Sequence, residues 1–111
     1  MAGVARISWW HWILPRGTWR VIATVDAADE IPQRLPRNSA VLVGSFKRPK
    51  WLAFDCPCRT GHRIMVTLDP SHVPHWNIAK FKPLTLEPSV DYRNVQRRCH
   101  YIIRRGRVVW V

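Results

Sequence analysis

The chain has 111 residues, 47% of them apolar, a size and composition that fit one folded domain with a modest core and exclude a disordered tail. Lys and Arg number 18 against 7 Asp and Glu, which gives a formal net charge of +11. This excess makes nucleic acid, an anionic membrane surface or an acidic protein conceivable partners.

The basic residues are scattered along the chain rather than gathered in one block. A solvated basic surface explains this as well as a nucleic-acid role does, so we expect only weak, sequence-independent binding to nucleic acid. No apolar run is long enough to cross a bilayer, and we expect no membrane role. The N-terminus lacks a long apolar core followed by a small-residue cleavage site, so we predict a cytoplasmic protein with reduced thiols.

The N-terminal segment, residues 1–17, is rich in tryptophan. Trp9, Trp10 and Trp12 either cover one edge of the core or form an exposed docking patch. We favour the first interpretation. Residues 26–38 then contain acidic residues and prolines, which predicts a loop with at most a short helical turn.

Short apolar runs separated by Pro and Gly predict a succession of β-strands. The clearest hairpin lies at the C-terminus, where Arg105-Gly106 forms the turn, because glycine accepts a positive φ. We find no convincing helical period. The sequence therefore predicts a mainly β, small single domain of short antiparallel strands and hairpins, with its core in residues 39–111. The predicted extended segments are 19–25, 40–43, 51–54, 63–68, 82–91, 100–103 and 108–111.

An apolar run, residues 51–54, leads directly into a cluster of candidate metal ligands. Cys56 and Cys58 are two residues apart, and in an extended segment such residues point to the same side. Gly61 lets the backbone bend back so that His62 can approach. Thiolate and imidazole ligands of this kind suit a tetrahedral metal such as zinc.

A fourth ligand would come from Cys99 or His100, near the C-terminus. Closing the site in this way would tie the C-terminal strands to the middle of the chain. Free thiols, a disulfide that leaves one cysteine over and a catalytic cysteine stay open as alternatives. We predict a structural zinc that staples the domain as in a zinc ribbon, held by Cys56, Cys58, His62 and Cys99.

Together these motifs resemble a family of small proteins encoded beside ubiquitin-like modifiers and their E1- and E2-like enzymes in bacterial Bub-type conjugation operons. The family often has Cys-Pro-Cys-Gly-Cys-Gly, whereas Arg59 and Thr60 replace the Gly and the third Cys here, so His62 would serve as a ligand. The resemblance rests on 51–58, Gly61-His62, Leu84-Thr85-Leu86, Pro88-Ser89, Cys99-His100-Tyr101 and 104–108.

This resemblance implies a peptidase that processes or deconjugates a ubiquitin-like modifier. Its substrate would be the modifier with its C-terminal tail, and the E1- and E2-like enzymes of the same operon would be further partners. Taken alone, Ser89 is most simply a polar turn residue after a proline; the resemblance makes it a candidate nucleophile.

The first mechanism that we consider uses a structural zinc and a serine nucleophile. Backbone N–H groups near Ser89 could serve as an oxyanion hole. If Cys99 turns toward the metal, His100 turns to the opposite face of its strand and can act as the base. Asp91 or Asp55 would orient the imidazole. We predict Ser89, His100 and Asp91 as the catalytic residues.

Three other mechanisms or functions rank lower. A catalytic zinc needs a general base, and the only glutamates, Glu30 and Glu87, are distant in sequence from the ligands. Cys99 paired with His100 is weaker still, because neighbours on a strand diverge. A non-catalytic zinc-ribbon-like module could bind the modifier protein, or nucleic acid through its arginines and tryptophans.

Overall fold

The computed structural model describes residues 4–13 and 17–111, with Ile13 described by its backbone only. Part of the predicted Trp-rich segment, residues 1–3 and 14–16, lies outside the described residues. One short helix, α1 (Trp10–Ile13), precedes the strands, and a 3-10 turn spans Ala28–Glu30. The strands are β1 (Arg20–Val25), β2 (Ser39–Gly44), β3 (Pro49–Asp55), β4 (Arg63–Thr67), β5 (Asn77–Phe81), β6 (Leu84–Arg93), β7 (Arg98–Arg104) and β8 (Arg107–Trp110).

The first sheet has the strand order β1-β2-β3-β4. The β2–β3 and β3–β4 pairs are antiparallel, as predicted, but β1 pairs with β2 in parallel. Parallel neighbours need a connection long enough to return to the same end of the sheet, and residues 26–38 supply it. The predicted short helical turn in this loop is the 3-10 turn at Ala28–Glu30.

The second sheet has the order β5-β6-β7-β8 and is antiparallel throughout. The predicted C-terminal hairpin is confirmed, with Arg105 and Gly106 both at positive φ between β7 and β8. β5 was not predicted, because this strand has no buried residue and carries little apolar alternation. The prediction of a mainly β fold is confirmed.

The main core lies between the two sheets. Alternate residues of β3, β6 and β7 turn inward and are fully buried, and each such side chain contributes about 1.5–3 kcal/mol by leaving water. Backbone bonds join the sheets as well, since Trp19 N donates to Gly106 O at 2.8 Å and Leu84 N donates to Trp19 O at 2.8 Å. The fully buried large side chains include Leu52, Phe54, Leu84, Leu86, Tyr101 and Ile103.

The interpretation of the N-terminal tryptophans as core cover is wrong. Trp9, Trp10 and Trp12 are exposed to 72%, 46% and 44%. The Trp12 ring packs against the Arg34 guanidinium, whose carbon lies 5.6 Å from the ring centroid. Trp9 precedes α1, and among the side chains described in this segment it is His11 that turns inward and is buried. None of the helices in residues 4–13 and 17–111 has the length and hydropathy needed to cross a bilayer.

The turn between β7 and β8 is expected to be intolerant of any side chain at Gly106. A Cβ there would collide with Thr18 Cβ and lie 2.9 Å from Pro83 Cβ. We expect Gly106→Ala to lower the free energy of unfolding by about 1–3 kcal/mol more than Gly61→Ala, because overpacking adds to the backbone strain. Gly61 is the matched control, with φ +96° and no atom near its missing Cβ. Urea denaturation measures both; equal losses would contradict the packing argument.

Candidate active site and metal centre

The local part of the metal cluster is built by a tight loop after β3. Cys56 follows β3 directly, and Arg59 N donates to Cys56 O at 3.0 Å. Cys56 N donates to His62 O at 3.0 Å, so the loop closes on itself, and Gly61 takes φ +96° as predicted. Cys58 lies in the turn rather than in an extended segment. The turn, and not strand alternation, therefore brings the two sulfurs together.

Cys99, on β7, completes the cluster from the second sheet. Ligand atoms of Cys56, Cys58, His62 and Cys99 all lie within 4.8 Å of one another. His62 Nε2 is 3.4 Å from Cys58 Sγ and 3.9 Å from Cys99 Sγ. Donors around one tetrahedral zinc would be separated by roughly 3.3–3.8 Å. The predicted four residues could therefore hold a metal ion.

The surroundings of the cluster also fit a cation bound by thiolates. Burial raises the pKa of the Cys56 thiol to about 12, so this group needs a positive charge nearby to ionise. Burial opposes ionisation of Cys58 as well, but hydrogen bonds from Thr60 lower its pKa to about 7. The buried Tyr101 hydroxyl has no hydrogen-bond partner among the described residues. It lies close enough to lower the pKa of Cys56, so a Cys56 thiolate would give it an acceptor.

Two alternatives to a four-ligand site, a disulfide and a catalytic zinc with a carboxylate base, find no support in the geometry. All three cysteines are free, which leaves no disulfide. No carboxylate belongs to the cluster within residues 4–13 and 17–111. The Glu30 carboxylate instead accepts hydrogen bonds from Asp26 N and Ala27 N. With four protein ligands, a tetrahedral ion would have no open position for water.

The predicted nucleophile and base lie together on the outer face of the second sheet. Ser89 Oγ and His100 Nε2 are 3.1 Å apart, within hydrogen-bond distance. β6 and β7 slip in register between Leu86 and Val90, so residues 87–89 face a single residue of β7. Such bulges re-aim side chains and often lie beside active sites. Trp76 Nε1 donates to Ser89 O at 3.2 Å and fixes the backbone there.

The two sites occupy opposite faces of β7, as strand alternation predicted. Cys99 is buried and faces the cluster, whereas His100 is half-buried and faces Ser89. The metal cluster and the Ser89–His100 pair are therefore adjacent in sequence but separated by the sheet.

The predicted orienter, Asp91, is the cross-strand neighbour of His100, but its carboxylate is bound elsewhere. Arg98 Nε lies 2.9 Å from Asp91 Oδ1, and Arg98 Nη2 lies 2.8 Å from Oδ2. This pair holds the pKa of Asp91 well below its usual range. Within residues 4–13 and 17–111, no hydrogen bond joins Asp91 to His100. Instead, Arg98 Nη2 lies 3.5 Å from His100 Nδ1.

Arg98 is the residue of this site that sequence reasoning missed. The available signal was its position two residues before His100, which puts both side chains on one face of β7. The alternative orienter, Asp55, belongs to the first sheet, and its Oδ1 accepts a hydrogen bond from Arg63 Nε at 2.7 Å.

Two of the concave surfaces differ in their distance from the Ser89–His100 pair. A cavity of about 650 Å³ is lined by Trp19, Trp110 and the loop containing Cys56, and it includes neither Ser89 nor His100. A groove of about 550 Å³ likewise has neither Ser89 nor His100 in its lining, but it includes Pro88 and Ile102, which flank the pair on β6 and β7. Proximity to the predicted catalytic residues, rather than size, makes this groove the candidate substrate surface.

Comparison with known proteins identifies the family of this chain. The family model described as "Bacterial ubiquitination-like system serine protease (BubE)" matches residues 27–111, which include the metal cluster and the Ser89–His100 pair. The chain belongs to the BubE family. The sequence resemblance to the Bub-type peptidase family is thereby confirmed. No curated protein and no solved structure gave a match.

Proposed function

We propose that this BubE-family protein is a peptidase that processes or deconjugates a bacterial ubiquitin-like modifier, with Ser89 as nucleophile and His100 as general base. One observation carries this assignment of roles: the 3.1 Å approach of Ser89 Oγ to His100 Nε2 in a chain whose family is one of serine proteases. Membership in a ubiquitination-like system supports a modifier protein as the substrate.

The proposed reaction has three steps. His100 Nε2 takes the Ser89 hydroxyl proton as Oγ bonds to the carbonyl carbon preceding the scissile bond. The imidazolium then gives that proton to the leaving amine, which departs as the carbon–nitrogen bond breaks. Water, deprotonated by the same imidazole, cleaves the resulting ester and restores the Ser89 hydroxyl.

To take the Ser89 proton, the His100 ring must carry its own hydrogen on Nδ1. The contacts of His100 in this structure favour the other nitrogen. A guanidinium only donates hydrogen bonds, so the Arg98 contact requires Nδ1 to be the acceptor and leaves the ring hydrogen on Nε2. A base that takes the Ser89 proton carries its hydrogen on Nδ1 instead. We propose that Arg98 withdraws in the reacting state and that the Asp91 carboxylate then accepts the Nδ1 hydrogen.

Substitutions of the Asp91–Arg98 pair should therefore have unequal effects. We expect Asp91→Asn to lower kcat on the order of 10²-fold or more, with KM and melting temperature unchanged, because the ring loses its orienting acceptor. Arg98→Gln should retain most of kcat, since the carboxylate remains. Steady-state kinetics on the modifier measures both. Equal losses in the two variants would show that the ion pair, rather than the carboxylate, positions the imidazole.

We further propose that the metal is zinc with a structural role, held by Cys56, Cys58, His62 and Cys99. Bound there, zinc would supply a cross-link between the loop after β3 and strand β7. The closed four-ligand donor set supports this role. Three free cysteines also suit a reducing cytoplasm, where we propose that the protein acts.

A direct assay tests the proposed function. The purified protein is mixed with the modifier from the same operon and the products are followed by mass spectrometry. We expect the modifier to lose a discrete C-terminal fragment or an attached group, by cleavage of one bond. An unchanged modifier mass after prolonged incubation with zinc-replete, folded protein would overturn the proposal in favour of a binding module.

A further inference from the structure

The groove beside the catalytic pair extends from the reacting atoms in one direction along the sheet. Pro88 lines it and directly precedes Ser89, while Ile102 and Arg104 line it and follow His100. The groove thus starts next to Ser89 and His100, where the proposed mechanism would place the scissile carbonyl. We propose, building on the proposed function, that it binds an extended segment of the modifier's tail that carries a carboxylate, which Arg104 recognises.

The side-chain directions along β7 support this path. Cys99, Tyr101 and Ile103 are buried in the core, so the alternate residues His100, Ile102 and Arg104 share the outer face. Four residues of strand span about 13 Å. A substrate in extended form would therefore reach from Ser89 to Arg104 with three to four residues, on the order of one strand segment.

The groove changes from acidic to apolar to basic along its length. Half-buried Ile102 offers an apolar surface in the middle, and Arg104 lies at the far end on an exposed position. In the described part of the chain, Arg104 makes no ion pair and no side-chain hydrogen bond. Glu87 lines the end near Ser89 and would repel a carboxylate there. This arrangement suits an extended ligand. Such a ligand would place an apolar residue over Ile102 and a carboxylate three to four residues from the cleaved bond.

A carboxylate at that distance can come from an acidic side chain or from the C-terminus of the tail itself. Both present the same planar oxygens to a guanidinium. Two series of tail peptides that span the cleaved bond distinguish these sources. Peptides with a free or an amidated C-terminus test the terminal carboxylate. Peptides with Glu, Gln or Lys at the third and fourth positions from the bond test an acidic side chain.

Charge reversal at Arg104 tests the proposal. We expect Arg104→Glu to lower kcat/KM for the carboxylate-bearing peptide by about five- to tenfold and to raise it for the Lys peptide, because an exposed ion pair is replaced by repulsion. Arg105→Glu is the matched control: it makes the same charge change in the adjacent turn, outside the groove lining, and should leave the preference among peptides unchanged.

The test of the groove can be distinguished from the test of the proposed catalytic mechanism. Binding of the same peptides to the Ser89→Ala variant, with and without Arg104→Glu, reports the groove without any cleavage. If Arg104→Glu leaves the order of peptide preference and binding unchanged while Ser89→Ala abolishes cleavage, the groove proposal is overturned and the mechanism stands. If Ser89→Ala cleaves normally, the mechanism fails whatever the peptide preference shows.

Discussion

Replacing Ser89 by Ala, and separately His100 by Ala, is expected to abolish processing of the modifier while leaving the fold and the metal content intact. The two atoms that we propose exchange a proton lie 3.1 Å apart, on the outer face of the second sheet and away from the core. Members of such a unit lose about 10⁴- to 10⁶-fold in kcat when either is removed, and the losses do not add. The double variant should be no slower than the slower single variant.

The control for this pair is Ser71→Ala, which removes an exposed hydroxyl that bonds only to Asp69. Its rate should match that of the unmodified protein. Rates are measured by the mass-spectrometric assay, zinc by elemental analysis and folding by circular dichroism. A Ser89→Ala protein that processes the modifier at the normal rate, or a His100→Ala protein that has lost its metal, would mean that the assigned roles are wrong.

Removing the metal is expected to unfold the protein or lower its melting temperature by more than about 20 °C. Structural zinc in small domains contributes on the order of 10 kcal/mol, and each kcal/mol corresponds to about 4–8 °C in a domain of roughly this size. Cys58→Ser should have the same effect as chelation. Because Cys58 is only half-buried, lost packing cannot account for so large a change.

The matched control keeps all four ligands. Thr60→Val removes the hydroxyl that lies 3.0 Å from Cys58 Sγ and should lower the melting temperature only slightly. Elemental analysis of cleanly purified, reduced protein should find one zinc per chain. Preparations without metal that nevertheless melt cooperatively at the same temperature would refute a structural metal centre.

Local sequence signals predicted the parts of the fold that depend on a few neighbouring residues. Arg105-Gly106 specifies a tight turn by its backbone conformation, and Gly61 allows the loop in which Cys56 and His62 approach each other. The cluster of Cys56, Cys58 and His62 could be predicted because these residues are close in sequence. It also needed Cys99, a distant residue that was predictable because it was the third and last cysteine.

The features that were missed depend on pairing between distant segments. The parallel arrangement of β1 and β2 depends on where a long loop returns, which no local pattern specifies. The edge strand β5 has no fully buried residue, and only Ile78 and Phe81 pack against the core, so it lacks a clear alternating pattern. The ion pair of Arg98 with Asp91 arises only once β6 and β7 are in register, so the sequence could nominate Asp91 but could not reveal its partner.

The adjacency of Cys99 and His100 on β7 makes the two sites inseparable during evolution. Insertion or deletion of a single residue in this strand would exchange the faces of everything beyond it, turning an imidazole toward the metal loop or a thiol toward Ser89. We therefore expect the length of this strand to be constant. The neighbouring turn, residues 94–97, is exposed and can vary in length. Among relatives, we expect length variation in that turn and none within β7.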